Sequence, residues 1–139
     1  MKFQTIALAS AFALCGIANA SAEQVSVQTW GGALGESFQK NIVEPFKKET
    51  GIDVVLSYGM AADALAKVRG QQANPQLDIA MMGQTEAIAL SKEGLLASLD
   101  PADIPNLADV VEPAVYKDAD GSIFYVGMYG YVLEIVYRT

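Results

Sequence analysis

The chain has 139 residues, with 16 acidic against 9 basic side chains for a net charge of -7, a hydrophobic fraction of 52% and no histidine. That balance argues against nucleic acid and anionic membrane surfaces as partners. The missing imidazole removes Ser-His and Cys-His nucleophilic schemes and the usual zinc sites, leaving only carboxylate, lysine or tyrosine chemistry.

Residues 1–22 have the layout of a secretory signal peptide: Lys2, an apolar stretch from Ile6 to Ala18, and small-x-small cleavage patterns at Ala18-Asn19-Ala20 and Ala20-Ser21-Ala22. The apolar stretch is too short to span a bilayer. Cys15 is the only cysteine. The bulky Leu14 before it argues against lipoprotein processing, so the mature chain is expected to carry no thiol and no disulfide. Cleavage after Ala22 leaves roughly 117 residues, enough for one small domain with its own core.

The mature chain opens on Val25-Ser26-Val27-Gln28-Thr29-Trp30-Gly31-Gly32. A β-branched run ending in Trp-Gly-Gly, followed at once by an amphipathic pattern, predicts a strand feeding a helix through a turn that a ligand can approach closely. Leu34, Phe38, Ile42 and Phe46 then recur four residues apart, with Glu36, Lys40, Lys47 and Lys48 between them. This is an amphipathic helix closed by Gly51, with Phe46 expected inward. Pro45 lacks an N–H, so the helix is expected either to kink there or to restart with Pro45 in its first turn.

Residues 53–59 predict a second buried strand, and Ala61, Leu65, Val68 and Gln72 trace one face of the helix after it. A third strand is expected over 77–82. Gly83 follows, and Thr85 is expected to cap a helix with Ile88, Ala89 and Leu95 inward. Strand and helix alternate three times, the pattern of right-handed βαβ crossovers and a mostly parallel sheet covered by helices. The pattern then changes. Residues 98–106 read as a surface loop with turns, residues 107–116 as irregular helical turns, and Lys117-Asp118-Ala119-Asp120-Gly121 as a polar turn. Two strand-like runs follow, over 123–128 and 132–137. An apolar strand so close to the last residue normally continues into something, so the sequence reads as part of a longer protein.

Three predicted strand ends fall on one edge of this sheet, at Thr29-Trp30-Gly31-Gly32, Ser57-Tyr58-Gly59 and Met82-Gly83-Gln84-Thr85. The carboxyl ends of parallel strands are where ligands bind in open α/β sheets, and each turn opens a helix whose free N–H groups face the same crevice. Trp30 and Tyr58 offer flat apolar or cation–π faces; Gln84, Thr29, Ser57 and Thr85 offer polar groups. The plain alternative is that Gly32, Gly59 and Gly83 only form turns and Trp30 is core. Nucleotide binding is discounted, because Gly31-Gly32-Ala33-Leu34-Gly35 has neither the Lys-Ser/Thr pair of a P-loop nor dinucleotide spacing. Asp118 and Asp120 resemble part of a calcium loop that lacks its bidentate Glu, and are expected to be solvated. Asp53 and Asp78 stand at strand beginnings on the opposite edge, which argues against a catalytic pair. Asp63 and Lys67 are spaced for a helical ion pair.

The chain resembles the solute-binding proteins of ABC importers, in particular the group related to spermidine/putrescine-binding proteins. The likeness runs through Thr29-Trp30-Gly31-Gly32, Glu44-Pro45-Phe46-Lys47-Lys48-Glu49-Thr50-Gly51-Ile52, Leu77-Asp78-Ile79, Lys92-Glu93-Gly94-Leu95-Leu96 and Leu99-Asp100. The resemblance implies a periplasmic protein of two α/β lobes (type II) that closes on its ligand by a hinge and delivers it to permease subunits in the inner membrane. It implies a first lobe over 23–131 and the start of a crossover strand over 132–139, with the second lobe missing. By similarity the ligand contacts fall on Thr29, Trp30, Gly31, Gly32, Tyr58, Gln84, Thr85 and Tyr129. No cofactor, metal or nucleic acid is implied, and the full-length protein is expected to be a monomer. Two features depart from the pattern: no proline occurs at Val126-Gly127-Met128, and the second-lobe carboxylates that recognise ammonium groups are absent. The expected function is therefore capture of a small organic solute, with polyamines among the candidates. The alternatives are an interaction module without a small ligand and a secreted enzyme using the same crevice.

Overall fold

Strand β1 (Gln24–Thr29) is the axis of the fold, and in the computed structural model, which describes residues 23–130, it lies between two parallel neighbours. On one side it pairs along its whole length with β2 (Asp53–Tyr58), Gln24 opposite Asp53 through Thr29 opposite Tyr58. On the other it pairs with β3 (Ile79–Ala80), Val27 opposite Ile79 and Gln28 opposite Ala80. The chain leaves the centre for one edge and returns past the centre to the other. Right-handed crossovers then place the two intervening helical segments on opposite faces. The expected leader over 1–22 and the expected crossover strand over 132–139 lie outside the described residues.

The first crossover is α1 (Gly32–Phe38), a widened turn over Gln39–Val43, and α2 (Glu44–Thr50). In the widened turn the Glu44 amide reaches back five residues to the Gln39 carbonyl, and Pro45 falls in the first turn of α2. The helix thus restarts, and the extra residue spares the carbonyl that the proline ring would crowd. It also shifts the facing of the residues that follow it, Phe46 among them, whereas Leu34 precedes it. Phe46 is not inward but 37% exposed, Leu34 and Ile42 are exposed with it, and the buried positions are Gly35 and Val43. Gly51 ends α2 in the left-handed region at φ 75°, donating to the Lys47 carbonyl.

Helix α3 (Ala61–Gly70) buries Ala64, and α4 (Gln84–Lys92) buries Ala87 and Leu90. Gln72 lies beyond α3 and is exposed, and Ile88, Ala89 and Leu95 are only half-buried. Arg69 of α3 makes a two-pronged ion pair with Glu93 just past α4. That pair holds the Glu93 carboxyl below its ordinary value and raises the guanidinium.

Strand β3 is shorter than the expected 77–82 because a side chain replaces part of its ladder. The Asp78 carboxylate accepts from the Ser26 amide at 2.8 Å and from the Ser26 hydroxyl at 2.8 Å, while the Asp78 amide donates back to Ser26. These bonds, the backbone one foremost, hold the Asp78 carboxyl below the usual range. Asp53, at the same end of the sheet, is paired with Lys47.

Residues 98–114 form single turns of tight helix at Pro101–Asp103, Pro105–Asp109 and Glu112–Ala114. They lead into an antiparallel hairpin, β4 (Val115–Lys117) and β5 (Ile123–Val126). The sequence places Val115 and Tyr116 within the irregular helical turns expected over 107–116. Tyr116 instead stacks on Tyr125 across the hairpin at 5.1 Å, and this cross-strand pair favours the extended form. Between the strands, the carboxylates of Asp118 and Asp120 accept from the Ser122 amide. Ser122 and Asp118 hold the Asp120 carboxyl down at about 2. These carboxylates build the turn.

Candidate functional site at the sheet edge

Because β1, β2 and β3 are parallel and in register, their carboxyl ends reach one edge together. The Gly59 amide donates to the Thr29 carbonyl and the Met81 amide to the Gln28 carbonyl, so the turns leaving β2 and β3 are tied to the end of β1. Helix α1 begins here, with Gly31 extended before it and Gly32 at φ 65°, a conformation that a side chain adopts only with strain.

Trp30 is half-buried, and its ring meets that of Tyr129 edge-on, with centroids 5.7 Å apart and planes at 65°. Tyr58 ends β2 beside Thr29 and is 56% exposed. Its ring lies over Gly35 of α1, where an added Cβ would stand 2.8 Å from the ring and 2.5 Å from the Trp30 carbonyl oxygen. Thr29 is 1% exposed, and its hydroxyl is buried without a partner among the described residues. Gln84 and Thr85 are exposed in the first turn of α4 and make no side-chain hydrogen bond to the aromatic cluster among the described residues. Thr85 does not cap the helix. Gly83 takes the cap position with an extended backbone, and the Glu86 carboxylate folds back over it.

The edge thus brings Thr29, Trp30, Gly31, Gly32, Tyr58 and Tyr129 together, with Gln84 and Thr85 beside them rather than among them. Asp63 caps α3 by accepting from the Met60 amide at 2.8 Å, so it does not serve the expected pair with Lys67. One residue of the edge escapes sequence reasoning: Gln28, 0% exposed on the central strand, whose Nε2 donates to the Met60 carbonyl at 3.3 Å. Its only signal is a long polar side chain next to the end of a strand that alternates polar and apolar residues.

Two open depressions, of about 390 and 340 Å³, lie around the hairpin turn, lined by Ser98, Asp100 and Ile123 and by Ser91, Lys92 and Tyr116 respectively, with Asp120 in both. Neither includes a residue of the sheet edge. A single wall encloses no volume, so the edge is the better candidate on its convergent aromatic and polar groups. No helix among the described residues is long and apolar enough to cross a membrane.

The family model for the bacterial extracellular solute-binding protein matches residues 31–139. Among solved structures, a Bordetella parapertussis protein described as an extracellular solute-binding protein aligns with TM-score 0.63 and 30% identity over 66% of this chain and 29% of its own. An ABC transporter structure from Clostridium perfringens aligns with TM-score 0.59 and 31% identity over 65% of this chain and 28% of its own. The PBP AgtB from A. tumefaciens, solved with agropinic acid, shares the fold at TM-score 0.50 and 21% identity, over 69% of this chain and 27% of its own. The chain therefore spans under a third of the length of each of these structures. No curated protein matches it. With the matched stretch running from the glycine turn after β1 to Thr139, the chain belongs to the bacterial extracellular solute-binding protein family.

Proposed function

We propose that this chain is first-lobe sequence of an exported solute receptor of an ABC importer, which binds a small organic solute without transforming it and delivers it to inner-membrane permease subunits. The observation that carries the reading is the convergence of three parallel strand ends on one edge, with Trp30, Tyr58 and Tyr129 exposing aromatic surface there. Residues 1–22 serve as the leader, and the mature form begins at Glu23. A periplasmic form that retains Met1 would remove the leader from this account.

The solute is cationic, and a polyamine fits. Helices in parallel crossovers run against the strands, so their first turns lie at the ligand edge and their last turns at the opposite edge. Asp63 and Glu86 occupy first turns; Lys47, Lys48, Lys67, Arg69 and Lys92 occupy last turns. An ammonium group at the edge meets carboxylates and aromatic faces and no lysine from those helices.

The test is thermal unfolding of the mature protein with putrescine, spermidine, amino acids or metal chelates. Spermidine is expected to raise the midpoint in a saturable way, since a ligand at 100 times its Kd adds about 2.7 kcal/mol. A rise with anionic solutes alone would overturn the cationic assignment, and no rise with any of them would overturn binding.

A further inference from the structure

We infer that Gln28 is a positioning residue, which holds the Tyr58-Gly59-Met60 turn in the shape that presents Tyr58 at the sheet edge; its role in binding rests on the function proposed above. The position is an unfavourable one for a carboxamide. It is wholly buried on the central strand, and its neighbours in register are Ser57 and Ala80. Central strands of parallel sheets are ordinarily apolar, and a buried polar group without a partner is destabilising. Among the described residues Oε1 has no partner, and the side chain's hydrogen bond is the one from Nε2 to the Met60 carbonyl. Reversing the amide would set two oxygens against each other, so the assignment of donor and acceptor is fixed by that carbonyl.

The surroundings fit this bond. A Cβ at Gly59 would stand 3.0 Å from Gln28 Nε2 and 3.1 Å from Asp63 Oδ2, so the glycine lets the carboxamide and the cap of α3 close on the turn from two sides. The same turn is anchored a second time by the Gly59 amide on the Thr29 carbonyl. A local rule broken on the central strand, with a gain only at the turn beside the candidate site, marks function rather than stability.

Two variants of the mature protein decide this through amide hydrogen exchange of residues 59–64 without solute, each compared with the parent at the same pH. Gln28→Met keeps length and apolar packing but cannot donate. It is expected to speed exchange in this segment at least tenfold while β1 and β2 stay protected. Gln28→Glu is expected to behave like the parent in acid, where the neutral carboxyl donates to the Met60 carbonyl, and to loosen the segment as the carboxyl ionises. Burial and the Asp63 carboxylate, which closes on Gly59 from the other side, both raise the pH of that change. Ionising a buried carboxyl is costly under either role, but a packing role predicts loosening that spreads through β1 and β2 rather than one confined to 59–64. Exchange unchanged in Gln28→Met, or loosening in Gln28→Glu that does not depend on pH or that spreads through β1 and β2, would overturn the inference. Should Gln28→Met fail to fold, the Gln28→Glu profile decides alone. Spermidine failing to stabilise the parent would count against the proposed solute, and the exchange result would still stand.

Discussion

Gly35 shows how much of the candidate site depends on one missing methyl group. In a helix, Gly→Ala ordinarily gains up to about 1 kcal/mol. At Gly35 the added Cβ would lie 2.5 Å from the Trp30 carbonyl oxygen and 2.8 Å from the Tyr58 ring. The ring can swing away, but the carbonyl belongs to the backbone of the glycine turn and cannot. Overpacking of this kind costs about 1–3 kcal/mol, so it outweighs the helix gain. Gly35→Ala is therefore expected to lower stability by about 1–2 kcal/mol in urea unfolding, and to weaken solute binding because Tyr58 and the Trp30 turn move together. A variant more stable than the parent would show that the turn yields without cost.

At the scale of elements, the sheet is held at its two ends by different means. The candidate edge is tied by backbone bonds from the turns, the opposite edge by the Ser26–Asp78 clamp and the Lys47–Asp53 pair. The folded Asp78 carboxyl titrates below its ordinary value of 3.8. Its contribution is thus fully present above the unfolded value and is lost as pH falls through the lower folded one. Asp78→Asn is expected to lower the urea midpoint at neutral pH, with the gap from the parent closing below about pH 4. A gap that persists in acid would assign the loss to shape rather than charge. Such details mark the limit of what sequence makes legible. The alternation of apolar runs and amphipathic helices fixes the parallel direction, and with it the common edge of the strand ends, because crossovers of one hand return each strand to the same side. It does not reveal the widened turn at Gln39–Val43, which turns Phe46 outward, since a period of four looks the same until one residue is inserted. Nor does it reveal that Asp78 stands in for a ladder bond or that Gln28 reaches Met60, since both contacts join residues more than thirty positions apart.

Across the whole molecule, one consequence of the topology remains to be tested: the sorting of charge. Seven excess negative charges repel anions everywhere at long range. Asp63 and Glu86 stand in first turns on the side of the candidate edge, while at the opposite edge Lys47 and Arg69 are matched by Asp53 and Glu93. Helix dipoles are complemented by the same arrangement, so it stabilises the fold with or without a solute. The two effects separate by their response to salt. The Debye length falls from about 10 Å at 0.1 M to about 3 Å at 1 M, so attraction exerted over several ångströms of open crevice is screened, whereas contact with an aromatic face is not. Spermidine affinity is therefore expected to fall several-fold across that range while the unfolding midpoint of the free protein changes little. Affinity that holds constant with salt would mean that Trp30, Tyr58 and Tyr129 carry the recognition without help from the carboxylates, and that Asp63 and Glu86 serve their helices alone.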